Sequence, residues 1–171
     1  MKKNDLTVIM MNPGSSKPKD IDNDFLDKFV TSHPDITQYQ IMKVMNNCNL
    51  NYAKIINLSD IRSSSSNDFY KMLSNELKEI DHSIFEDSND KHLKGYLNIE
   101  SKFILGWGVN KKLTKLSKKA LEKLERLNVK LFGLKHSKNK YGYYHPLPRN
   151  KQKQLEWVDK ITKLIKNNSE H

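Results

Sequence analysis

Cysteine is almost missing from this sequence: Cys48 stands alone among 171 residues. A single thiol excludes a disulfide framework and any cysteine-rich metal site. Histidine pairs at the spacing zinc uses are missing too, so no metal is expected. The phosphate-cradling G-x-x-x-x-G-K-[ST], the dinucleotide fingerprint G-x-G-x-x-G and the nucleophile elbow G-x-S-x-G are all absent. Their loss sets aside the common nucleotide-dependent and serine-hydrolase chemistries, and no cofactor is expected. No apolar run approaches the roughly 18 residues that a membrane span needs. The opening "MKKNDLTVIMMNPG" carries an apolar stretch too short for a signal peptide. A cytoplasmic protein with no membrane partner is the expectation.

Lysine, by contrast, is abundant and far outnumbers arginine, and the net charge is +10. Asparagine and isoleucine are plentiful as well, a composition that an AT-rich genome would give. The distribution says more than the total. Residues 1–100 hold 12 basic and 15 acidic side chains, whereas residues 101–171 hold 18 basic and 5 acidic ones. Such asymmetry is the electrostatic footprint of a polyanion-binding surface, or else a solvated lysine-rich face.

Apolar periodicity gives the architecture. "LTVIMM" (6–11), "AKIINL" (53–58), "KFILGW" (102–107) and "NVKLFGL" (128–134) read as buried strands. Between and after them lie amphipathic helices over 35–48, 67–80, 111–127 and 151–166, with a weaker one over 89–98. Asp35 or Thr37 would cap the first. Leu113, Leu116, Ala120, Leu124 and Leu127 form the inward stripe of the fourth-strand-side helix 111–127. In the last helix Leu155, Val158, Ile161 and Ile165 are expected inward. Serines 63–66 read as a flexible loop. With no repeat and no linker, residues 1–171 are expected to form one domain. Wholly apolar strands alternating with such helices predict a three-layer α/β/α sandwich around a central, mainly parallel four-stranded sheet.

Sheets of this kind bind ligands beyond the carboxyl ends of their strands. The polar residues expected there are Asn12, Asn57 and, beyond the fourth strand, His145. Three motifs carry them: "MMNPGSS", "IINLSDIR" and "HPLPRNKQKQLEW". Together, in this order and spacing, they resemble the signatures of the uracil-DNA glycosylase superfamily, most closely the single-strand-selective monofunctional branch. "MNPGSS", "KIINLSDIRSS", "LGWG" and "LFGLKHSKNKYGYYHPL" also resemble an uncharacterised bacterial family often carried by mobile elements.

The resemblance implies a base-flipping chemistry. Asn57, with Met11 beside it, would bind the base, since one amide can answer both the N3 donor and the O4 acceptor of uracil. His145, neutral, would stabilise the departing base anion, and Asn12 would orient the attacking water. Arg149 would wedge into the space left by the base. Asn150, Lys151, Tyr143 and Tyr144 would join it on the DNA, tyrosines among lysines suiting stacking and phosphate contact. The aromatic that should stack on the base has no clear counterpart; Phe25 and Tyr39 are candidates. Leu147 stands where the pattern has serine, Met10 where it has glycine, and the first motif lacks a carboxylate. Purely structural roles remain open for each: Asn12 in a turn, Asn57 or Asn150 as caps, His145 as a satisfied histidine, the tyrosines packing over the sheet.

Two functions follow as expectations. One is a DNA-binding protein on a uracil-DNA glycosylase-like scaffold with weak or lost uracil excision. The alternative is an active monofunctional glycosylase removing uracil or a modified base. A basic DNA face would also suit an acidic DNA-mimic inhibitor protein as a partner.

Overall fold

The apolar run Leu6–Met10 forms the first strand, β1, with every side chain buried. The computed structural model describes residues 3–19, 30–75 and 80–168. After β1 comes a short antiparallel ribbon of β2 (Lys17–Pro18) and β3 (Ser32–His33). The remaining strands are β4 (Ala53–Asn57), β5 (Lys102–Leu105) and β6 (Leu131–Phe132). The main sheet runs β4-β1-β5-β6 and every pairing in it is parallel. Met10 therefore stands beside Asn57, and Ile9 beside Leu105.

Five helices flank these strands among the described residues: α1 (Ile36–Asn47), α2 (Ser66–Asn75), α3 (Asp90–Tyr96), α4 (Thr114–Arg126) and α5 (Lys151–Asn167). Strand alternation sorts them into layers. Leu6, Val8, Met10 and Ile104 pack with Ile41 and Val44 of α1 and Trp157, Val158, Ile161 and Ile165 of α5. Ile9, Phe103 and Leu105 face the other way, onto Phe69 of α2, Leu93 of α3 and Leu116, Ala120 and Leu124 of α4. The chain is thus a three-layer α/β/α sandwich. No helix among the described residues is long and apolar enough to cross a membrane.

Local chemistry sets the element ends. Asp35 opens α1 with a complete capping box: its carboxylate accepts from Gln38 N at 2.9 Å, and Gln38 Oε1 accepts from Asp35 N at 2.8 Å. Asn150 caps α5 by accepting from Lys153 N at 3.1 Å. Lys123 is the one inward lysine of α4, and it ends among Asp87, Asp90 and the carbonyl of Glu86. Its aliphatic stem lies in the core while its ammonium keeps polar partners.

Several boundaries depart from the sequence reading. The strand expected over 128–134 shrinks to Leu131–Phe132. Asn128 sits in the left-handed region at φ 51°, and beyond Phe132 the chain leaves the sheet edge to make single bridges with Tyr143. The strand expected over 102–107 ends at Leu105: Gly106 N still donates to Ile9 O at 2.9 Å, and the chain bends at Trp107. Helix 111–127 begins as a 3-10 turn, Lys111–Leu113. The helix expected over 67–80 is described from Ser66 to Asn75, and residues 76–79 lie outside the described set. In α5, Leu155 is exposed and Trp157 is buried in its place. Leu155 lies two positions before Trp157, roughly opposite on the helix. The large indole, whose Nε1–H donates to Tyr144 O at 2.8 Å, turns the buried stripe toward itself.

Candidate functional site

Every loop that follows a strand of the main sheet opens at the same edge of the sandwich. The order β4-β1-β5-β6 makes β1 the strand from which the chain builds outward in both directions, so a crevice opens between the ends of β1 and β5. A cavity of about 600 Å³ occupies this edge. Met11, Asn12, Asn57 and His145 all line it, so the three polar residues expected at separate strand ends do share one space.

The "MNPG" turn leaves β1 with Gly14 at φ 62°, a conformation that favours glycine. Pairing with β4 continues past the strands: Leu58 N donates to Met10 O at 2.8 Å and Ser59 N to Met11 O at 3.1 Å. Asn12 is thereby held next to the chain that follows β4, where its Nδ2 donates to Ser63 O at 2.9 Å and Ile61 O at 3.3 Å. Both amide hydrogens are engaged, which fixes the side chain and leaves Oδ1 as its free acceptor. Asn57 differs. Its amide has no hydrogen-bond partner among the described residues and remains available to a ligand.

The "HPLPRN" loop is fixed from several sides. Pro146 is buried against Gly106, where an added Cβ would lie 3.1 Å from its Cδ. Gln154 Nε2 donates to Pro148 O at 2.7 Å, while Gln40 Nε2 donates to Gln154 Oε1 at 3.1 Å, joining the loop to α5 and α1. Within the loop, Leu147 N donates to His145 Nδ1 at 3.0 Å. An Nδ1 that accepts is unprotonated, so the neutral ring carries its proton on Nε2. Burial pushes the His145 pKa down to about 4, against the opposing charge of Asp35. Protonating Nδ1 would also cost the bond from Leu147. At neutral pH His145 is therefore an uncharged Nε2–H donor.

The same wall holds residues that sequence reasoning did not place in a site. Asp35 lines the cavity as well as capping α1. One carboxylate oxygen serves the cap, and the other lies 3.9 Å from where a Cβ on Gly14 would stand. Arg62, Ser63, Ser64 and Ser66 line it too, so the serine run is a cavity wall rather than only a linker. Tyr70 contributes a half-buried ring whose hydroxyl is pushed up by burial, and Trp107 a buried one. The signal for Arg62, Ser63 and Ser64 was positional, since they lie in the loop that follows β4, whereas Asp35 caps α1 and Ser66 opens α2. Of the two aromatic candidates, Phe25 lies outside the described residues and Tyr39 lines an adjoining groove.

The candidates for DNA contact line neither the cavity nor the groove beside it. Arg149 and Lys151 are exposed, and Asn150 serves as the α5 cap. Tyr143 is half-buried, edge-on to Trp107 with ring centroids 5.3 Å apart, and pairs with Gly108 through two backbone bonds. Its packing role over the sheet is thus occupied. Tyr144 presents its ring to solvent, 5.4 Å from the ring of His136. Among the described residues no group of three or more His, Cys, Asp or Glu side chains is arranged to hold a metal ion.

Residues 1–147, covering all of these cavity-lining residues, match a family described as a protein of unknown function, DUF1643. The chain belongs to the DUF1643 family. No curated protein and no solved structure matches it. The DUF1643 match ends at Leu147, so "HPL" of "HPLPRN" and the "MNPG" turn fall within it, whereas Arg149 and α5 fall beyond it.

Proposed function

We propose that this chain is a DNA-binding protein of the uracil-DNA glycosylase type that takes one base into the cavity at the sheet edge, with weak or lost uracil excision. The observation that carries the reading is the meeting of Asn12, Asn57 and a neutral His145 in one space of about 600 Å³. Asn57, unpaired, would answer the N3 donor and O4 acceptor of uracil. Met11, lining the same wall, would contact the base. Tyr70, half-buried at the wall, would offer the aromatic surface that the first motif does not supply. Arg149, Asn150, Lys151, Tyr143 and Tyr144 would contact the strand outside the cavity, and the basic surplus after residue 100 would meet phosphates. The motifs "MMNPG", "IINL" and "HPLPRN" lend the reading its family precedent. An acidic DNA-mimic inhibitor would compete for the same face.

A second reading, full excision, is favoured by two features. His145 offers a neutral Nε2–H to a departing base anion, and Asp35 brings to the wall the carboxylate absent from the first motif. Water would attack the sugar C1′, the glycosidic bond would break with its electron pair leaving on the base, and the water proton would pass to Asp35 or solvent. Asn12 Oδ1 would align that water.

One set of oligonucleotides tests both readings. Binding of single-stranded uracil-containing DNA should weaken steeply with salt and weaken again in Asn57→Ala. Salt-independent or undetectable binding would remove the proposal. Alkali-labile strand breaks that vanish in His145→Ala and Asn12→Ala would replace weak or lost excision with the active reading.

A further inference from the structure

Beside the cavity lies a second concavity, about 480 Å³, that shares Ser15, Asp35, Thr37 and Leu147 with it. Its outer wall comes from the start of α1. Ile36 and Tyr39 stand three residues apart, hence on one helix face, and are 62% and 52% exposed. The inward residues of the same helix, Ile41 and Val44, are 2% and 0% exposed. Single exposed apolar side chains need no explanation. Here the isoleucine and the aromatic ring line one groove, with Leu147 as the partition between groove and cavity.

We infer that this groove is a second base subsite, which takes the base of the nucleotide next to the one in the cavity. The inference rests on the base-binding reading of the cavity. A strand with one base in the cavity carries its next base a single sugar–phosphate unit away. The concave apolar surface across Leu147 is where that base arrives. Tyr39 offers a ring face, and Ile36 and Leu147 offer aliphatic surface, the combination that binds bases by stacking without reading their edges. A base still paired in duplex DNA is stacked on both sides and cannot enter the groove. The subsite therefore selects unpaired strands and tolerates any neighbouring base. The asymmetry of the site, with the groove on one side of the cavity, makes one flank of the bound base matter and the other not.

The test is fluorescence anisotropy with the full chain and three labelled single-stranded oligonucleotides carrying one central uracil: intact, abasic immediately 5′, and abasic immediately 3′. Loss of one flanking base should weaken binding roughly 5- to 150-fold, and loss of the other should not. Tyr39→Ala should weaken binding of the intact strand by a similar factor and make it indifferent to both abasic sites. Tyr39→Phe, which keeps the ring, should bind as the native protein does. Binding that still depends on Asn57 but ignores both abasic substitutions and Tyr39→Ala would overturn the subsite while leaving the cavity reading intact. Absence of any oligonucleotide binding would overturn both. Concentration-dependent dimerisation abolished by Tyr39→Ala would assign the groove to a second copy of the chain and also overturn it.

Discussion

His145→Asn separates the protonation state of the site from its shape. The asparagine oxygen can occupy much the same place as Nδ1 and still accept the Leu147 N–H, but it does not titrate. In the native protein His145 has its pKa lowered by burial to about 4, whereas an unfolded histidine titrates near 6.5. Between these values the unfolded chain binds a proton that the folded chain refuses. Unfolding then takes up protons, and stability falls as the pH falls. The stabilisation is fully present above pH 6.5 and is lost progressively toward pH 4. Between pH 7.5 and pH 4.5 the two pKa values give a loss of about 2–3 kcal/mol attributable to this one ring. Other titrating groups contribute equally to native protein and variant, and so cancel in the difference. Urea denaturation of both proteins across this range reads the gap directly. The native protein should lose about 2–3 kcal/mol relative to His145→Asn. A gap that stays constant with pH would refute the neutral histidine.

Gly133→Ala should destabilise the fold by about 1–3 kcal/mol in thermal or urea melts, because the new Cβ would lie 2.6 Å from the Tyr143 ring and 3.0 Å from Leu105 O. Trp107 fluorescence should shift as well, since Tyr143 packs edge-on to it. Lys123→Met should leave stability within about 1 kcal/mol of native, whereas Lys123→Ala should cost more through lost stem packing; equal effects would refute that division. Asn150→Ala should lower stability by about 1 kcal/mol through the lost α5 cap. Arg149→Ala should leave the melt unchanged and reduce the salt dependence of DNA binding by about one phosphate contact.

The layers were legible because they depend on local pattern. Leu6–Met10 is buried at every position and so are Phe103–Leu105, which only a sheet covered on both faces tolerates, and the helices between them have one apolar stripe each. The lapses occur where distant residues decide. Leu131–Phe132 stays short because Tyr143, far along the chain, packs on Gly133 and claims its neighbours for bridges. Leu155 reads as inward until Trp157 finds Tyr144 O. At the site, Asn12, Asn57 and His145 were legible because loops after parallel strands must gather at one edge. Arg62, Ser63 and Ser64 follow the same rule, but they and Asp35 carry ordinary turn and cap chemistry, which masks them. Tyr70 sits within α2, and its facing toward the cavity is set by packing that no local pattern encodes.

Leu147 brings these levels together. The glycosylase motif that "HPLPRN" resembles has serine there, and leucine looks like damage to the site when read against that motif. In the fold the residue has two separable parts. Its backbone N–H holds His145 in the Nε2–H tautomer, and that bond is indifferent to the side chain. What fixes it is the stiffness of a loop with Pro146 and Pro148 on either side, anchored by Gln154. Its side chain is the wall between cavity and groove. Exchanging serine for leucine therefore leaves the protonation state of His145 to the loop. What it changes is the partition, from a hydroxyl that would need a hydrogen-bond partner to an apolar surface that favours a flat ring on either side.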